Sequence, residues 1–273
     1  MKLKLKKFSL DKINSDKVVV LIGKRGVGKS FLVKDLLYHH TNLPIGTIIS
    51  GTEDANHFFE DFVPKCFIHK EYSPDLIDNV MKRQKKIMKE VNKEKKIKGK
   101  TTIDPRTVVV FDDCLYDQSW TKDKNVRAFF MNGRHLKIFF IITMQYPLGI
   151  PPNLRTNIDY TFILRDNITK NRRRIFENYA GMFPNYDIFS SVMDQCTQNY
   201  ECLVIDNSVA SNKIEDCVFW YKAENRPTFR IGAAQFWLNN DIEDSDSDNE
   251  EPYFDRELLG PKKNKVSINV TKI

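Results

Sequence analysis

Residues 18–37 read "VVVLIGKRGVGKSFLVKDLL". The apolar run Val18–Ile22 stops at Gly23, Gly26 and Gly28 follow, and then Phe31, Leu32, Leu36 and Leu37 recur at helical spacing. A buried strand therefore runs through a glycine-rich turn into a helix. Within it Gly23, Lys24, Arg25, Gly26, Val27, Gly28, Lys29 and Ser30 fit G-x-x-x-x-G-K-[ST], the phosphate-binding loop. Glycines let the backbone approach an anion closely. Successive N–H groups then form a nest, and the helix beginning near Lys29 adds its positive end. Lys29 is expected on the β- and γ-phosphates of ATP and the Ser30 hydroxyl on Mg²⁺.

Outward from this loop, strand-like runs alternate with helical stretches: Ile45–Ile49, Cys66–Ile68, Thr107–Phe111, Ile138–Thr143 and Tyr160–Leu164. Several are apolar without alternation, as strands covered on both faces are. The alternation predicts an α/β fold with a mostly parallel sheet and helices on both faces.

The run "TVVVFDDC" ends a buried strand in Asp112-Asp113. This has the form of a Walker B segment. A carboxylate there lies in the crevice at the ends of parallel strands, where ligands bind. Asp112 is expected to hold Mg²⁺ and Asp113 to act as general base on the attacking water. A second apolar run, "IFFIITMQ", ends in Gln145, which either senses the γ-phosphate or simply begins the turn before Pro147.

The chain has 273 residues and a net charge of +7. Residues 241–273 hold nine acids and five bases, so the rest is more basic than the whole. A basic body suits a polyanionic partner. Lys82–Lys100 carries ten bases against two acids and continues a helix from Pro74–Met81, either as a solvated face or as a nucleic-acid contact. Asp241–Glu251 is an acidic low-complexity run, read as a disordered tail. The expected organisation is a basic N-terminal segment (1–16), an ATPase domain (17–238) and an acidic tail (239–273). Met1–Lys7 lacks the apolar stretch of a signal peptide, and no transmembrane helix is expected. Cys66, Cys114, Cys196, Cys202 and Cys217 are scattered without a C-x-x-C pair, which points to reduced thiols rather than a zinc site.

Taken together, "GKRGVGKS", "VVVFDD" and "NGRHLKIFFIITMQYPLGIPPNLRTNIDY" resemble the FtsK–HerA branch of P-loop ATPases. Within it they most resemble the genome-packaging ATPases of large nucleocytoplasmic DNA viruses, the poxvirus type. The resemblance covers roughly residues 17–235. It implies an ASCE sheet, in which a strand ending in a polar sensor lies between the Walker A and Walker B strands. It also implies a ring of subunits that pumps double-stranded DNA into a capsid, with capsid or portal components as partners. The implied location is the host-cell cytoplasm, at viral factories, and the virion. By position Lys29, Ser30, Asp112, Asp113 and Gln145 keep the roles given above. The resemblance sets Arg134 near a subunit boundary and makes it the arginine finger that completes the neighbouring subunit's site, with Arg127 its competitor. Many ASCE proteins carry Glu where Asp113 stands, one methylene longer. Competing readings are a nucleotide or nucleoside kinase, with Arg172-Arg173-Arg174 as a phosphate-clamping lid, and a non-catalytic ATP-binding virion scaffold.

Overall fold

The computed structural model describes residues 3–113, 119–211 and 213–238. Its strands are β1 (Lys6–Lys7), β2 (Val18–Ile22), β3 (Gly46–Ser50), β4 (Ile68–His69), β5 (Thr107–Asp112), β6 (Ile138–Met144), β7 (Tyr160–Ile163), β8 (Glu201–Asp206) and β9 (Val218–Lys222). They form one nine-stranded sheet in the order β1-β9-β8-β7-β2-β6-β5-β3-β4. The pairs from β7 through to β4 are parallel, whereas β8 runs antiparallel to both β7 and β9.

Strand periodicity explains the unbroken apolar runs. Val18, Val20 and Ile22 enter one core cluster and Val19 and Leu21 the other. Likewise Val109 and Phe111 face one side, Val108 and Val110 the other. Each face is covered. The helices Pro74–Lys98, Lys124–Asn132, Thr169–Tyr179 and Tyr186–Cys196 pack on one side, and helix Lys29–Tyr38 with Phe59, Phe62 and Phe229 on the other.

The strand–helix alternation of the sequence does not anticipate β8 and β9. "ECLVID" and "VFWYK" are short runs separated by polar residues, and their pairing is antiparallel, outside the strand–helix alternation. Strand β4 begins at Ile68, because a 3-10 turn takes Lys65–Phe67. The N-terminal segment packs into the same core: β1 pairs with β9, and Phe8 lies buried against Tyr160, Phe162 and Phe219. The basic stretch does continue one helix, Pro74–Lys98, with Pro74 in its first turn and Gly99 in the left-handed region at its end. Its buried residues are Ile77, Val80, Met81, Gln84 and Val91, so the lysine-rich second half is largely exposed. The acidic tail, residues 239–273, and Cys114 lie outside the described residues. Among the described residues no helix is long and apolar enough to cross a membrane, and no cluster of three or more His, Cys, Asp or Glu residues is arranged to hold a metal.

Candidate active site

The loop Gly23–Ser30 joins the end of β2 to helix Lys29–Tyr38. Gly28 has φ +97°, which a side chain would strain, and it caps the helix. At Gly23 a Cβ would lie 2.7 Å from Val27 Cγ2 and 2.9 Å from Leu164 Cβ, so the turn closes only around glycine. Lys29 is buried, and its ammonium donates to the Lys24 carbonyl at 3.1 Å and sits 3.9 Å from Asp113 Oδ2. Burial lowers its pKa, and the charges of Asp113 and Asp112 oppose that shift. Lys24 itself turns away, to Asn167 and to Asp166 at 3.6 Å.

Sheet order brings the acids to the loop. β6 lies between β2 and β5, so the strand leading to Gln145 sits between those bearing the loop and Asp112. All run parallel, and their C-terminal ends share one edge. There the Ser30 hydroxyl donates to Asp112 Oδ2 at 3.5 Å, and the Gln145 amide donates to Asp113 Oδ2 at 2.7 Å. Burial pushes the Asp112 carboxyl above its ordinary range, helped by the neighbouring Asp113 charge and opposed by hydrogen bonds from Thr143 and Ser30 and by the Lys29 charge. Asp113 holds φ +55°, a left-handed conformation that costs most residues roughly 1–2 kcal/mol and that Asp tolerates better than most.

Thr143 is a site residue that sequence reasoning missed. Its hydroxyl donates to Asp112 Oδ1 at 2.7 Å and accepts from the Asp113 N–H at 3.0 Å. It therefore ties the Asp112 carboxylate and the Asp113 backbone to β6. The available signal was a lone hydroxyl in "IFFIITMQ", two residues before Gln145 and so on the same side of the strand.

The Ser30 hydroxyl and the buried Asp112 carboxylate form a hard-oxygen pair suited to Mg²⁺, and the glycine cradle beside them suits phosphates. Arg134 is elsewhere. It precedes β6, at the N-terminal end of the parallel strands, and pairs with Asp159 at 3.2 Å while 62% of its side chain stays exposed. Lys17 and the Val18 N–H bind the same carboxylate. A strand of this length spans roughly 20 Å, so Arg134 is remote from its own Lys29. Arg127 lies in helix Lys124–Asn132, ahead of the same strand. The arginines read as a lid are engaged locally: Arg172 with Asp194 at 2.7 Å, Arg173 over the Tyr186 ring and Arg174 over the Tyr146 ring.

This sheet order, with a phosphate loop and Walker B acids at one edge, defines a P-loop ATPase fold of the ASCE type. The likeness to solved structures agrees. The genome packaging NTPase B204 from Sulfolobus turreted icosahedral virus 2, in complex with sulfate, superposes with a TM-score of 0.51 at 16% identity, over 79% of this chain and 100% of that one. EssC (ATPases 2 and 3) from Geobacillus thermodenitrificans gives 0.50 at 15%, over 84% of this chain and 43% of that one. The chain belongs to the Poxvirus A32 protein family, whose profile matches residues 5–226. An uncharacterized protein of Acanthamoeba polyphaga mimivirus is 42% identical over 236 residues, 86% of this chain and 82% of that protein. Another, of invertebrate iridescent virus 3, is 33% identical over 250 residues, 86% of this chain and 92% of that protein.

Proposed function

We propose that this protein is an ATP-driven double-stranded DNA translocase that packages a viral genome into its capsid. The observation that carries the ATPase part is the joining of Lys29, Asp113 and Gln145 within 3.9 Å at the edge where the loop opens. The packaging part is supported by membership of the A32 family and by the fold shared with a packaging NTPase.

In this reading the loop N–H groups and Lys29 hold the triphosphate. Ser30 and Asp112 would hold Mg²⁺, whose charge offsets what develops on the transferring phosphoryl group. Asp113, its Oδ2 fixed by Gln145, orients the attacking water and takes its proton. Thr143 keeps the two carboxylates in register, one for metal and one for water. Arg134 serves as finger only from a neighbouring subunit, because its own chain holds it at the far end of the sheet; a ring supplies that neighbour. The exposed lysines of helix Pro74–Lys98 contact duplex phosphates without reading sequence. Viral factories, the virion and a capsid or portal partner follow from the same reading.

ATP turnover measured with and without duplex DNA tests it. DNA should raise turnover, Lys29→Ala should abolish it, and DNA binding should weaken steeply as salt rises. Phosphorylation of a small acceptor without DNA would instead establish a kinase. ATP bound but hydrolysed no faster than by Lys29→Ala would establish a scaffold.

A further inference from the structure

A cavity adjoins the phosphate loop on its β7 side, across β2 from the strands β6 and β5. It encloses about 300 Å³ and is lined by Gly28, Phe31, Leu164, Tyr200, Lys222 and Ala223 among others. Each lining segment reaches it for a topological reason. Phe31 follows the loop in the first turn of helix Lys29–Tyr38. Leu164 follows β7, and Lys222 and Ala223 lie at the end of β9. Tyr200 precedes β8, whose antiparallel direction returns its start to the same edge.

Two aromatic rings in this cavity are not used by the core. Phe31 is 41% exposed and Tyr200 70% exposed, although Tyr200 rests against the loop, where a Cβ on Gly28 would lie 3.5 Å from its Cδ1. The backbone holds that ring out at a cost. Asn199 and Tyr200 have φ +49° and +64°. For a bulky ring the left-handed region is unfavourable. Such strain persists at sites where it positions something.

We infer that Phe31 and Tyr200 form a clamp for the base of the bound nucleoside triphosphate, held by stacking and with little discrimination between adenine and guanine. The inference rests on the loop holding the triphosphate. Gly28 lines both spaces, so a nucleotide with its phosphates in the loop has this pocket beside it for base and ribose. The lining is chiefly ring and hydrocarbon. It therefore offers every purine a face and gives little to read the hydrogen-bonding edge, and stacking of this kind is sequence-tolerant because every base has a π-face.

The test is calorimetric titration of the full chain, in Mg²⁺, with ATP, GTP and inorganic triphosphate. The wild-type protein should bind ATP at least about tenfold more tightly than inorganic triphosphate, and GTP within a few-fold of ATP. Tyr200→Ala and Phe31→Ala should each weaken ATP by roughly 5- to 100-fold, the range of base–aromatic stacking, and leave inorganic triphosphate unchanged. Tyr200→Phe should restore ATP affinity. Tyr200→Gly should lose affinity yet melt no lower than wild type, because glycine relieves the left-handed strain; a merely structural tyrosine would lose both together. Unchanged ATP affinity in both alanine variants overturns the clamp and leaves the phosphate loop standing. A preference for ATP over GTP beyond about 100-fold overturns the stacking account. If the wild-type protein binds neither ATP nor inorganic triphosphate, the loop reading falls and the clamp with it.

Discussion

The Gln145 amide donates to Asp113 Oδ2 at 2.7 Å, so the polar residue closing β6 is bonded to the acid that follows β5. The same oxygen lies 3.9 Å from the Lys29 ammonium. Gln145, Asp113 and Lys29 are therefore one connected unit, and under the proposed function disturbing the amide should act on turnover more than on binding.

Gln145→Ala should lower kcat by about 10- to 100-fold, within the range of general-base assistance, with nucleotide affinity nearly unchanged. Asp113→Asn should stop turnover while binding persists, since placing the water matters only on the way to the transition state. Asn tolerates φ +55°, so this variant should fold normally. Single-turnover kinetics beside equilibrium titration separates the two effects; normal hydrolysis by Asp113→Asn would remove it from the base role.

Asp112→Asn should behave oppositely. Burial raises the Asp112 pKa, so the stability its carboxyl contributes is present at low pH and lost as pH rises through the folded value. At neutral pH an amide escapes that penalty. Without Mg²⁺ the variant should melt higher than wild type, by roughly 2–4 °C for each kcal/mol relieved, and with Mg²⁺ and ATP it should gain less. Thermal melts with and without Mg²⁺-ATP decide this; an equal ligand-induced gain in both proteins would count against Asp112 as metal ligand.

Thr143→Val removes a hydroxyl that serves Asp112 Oδ1 and the Asp113 N–H at once. An abandoned buried partner costs roughly 1–3 kcal/mol. The variant should melt lower and turn over about 10- to 100-fold more slowly, while Thr143→Ser keeps both properties. A Val variant with wild-type kcat would show that the bridge is structural alone.

Arg134→Ala leaves Asp159 paired with Lys17 at 3.0 Å and the Val18 N–H at 2.9 Å, so the fold should survive. Turnover should fall by about 10³–10⁵-fold if the arginine is a finger, with ATP still bound. Mixing Arg134→Ala with Lys29→Ala subunits should restore partial activity, because some interfaces then join an intact Lys29 to a neighbour's Arg134. Mixed assemblies that form, by size measurement, and stay inactive would pass the test to Arg127.

His40 is buried against Phe139, with Ser15 Oγ 3.4 Å from its Nδ1. Burial lowers its pKa from 6.5 to about 4, aided by His39 and Arg106 and opposed by Asp11. A depressed His pKa means that the unfolded chain takes the proton first as pH falls through 6.5 towards 4, so stability is lost across that window. At pH 5 the loss is about 2 kcal/mol. His40→Phe should shrink the drop in melting temperature between pH 7 and pH 5; an unchanged drop would place the acid sensitivity elsewhere.

The glycine loop, the Asp-Asp after a buried strand and the unbroken apolar runs were legible as sequence, because each is a local rule. Glycine spacing sets loop backbone, and runs without alternation mean burial on both faces. The lysine-rich continuation of helix Pro74–Lys98 was legible for the same reason, since Pro74 and Gly99 bracket it. Strands β8 and β9 were not, because antiparallel pairing at the sheet's edge follows no strand–helix alternation and depends on partners far along the chain. Thr143 was hidden likewise: one hydroxyl in an apolar strand gains meaning only when β6 lies beside β5 and sets it against Asp112. Arg134 needed both. The family resemblance sets it near a subunit boundary, and strand direction places it at the end of the sheet away from Lys29, paired with Asp159 at 3.2 Å. Local pattern determined which residues form strands, loop and helix. Which side chains share a site was decided by strand order and direction, which arise from contacts between distant segments.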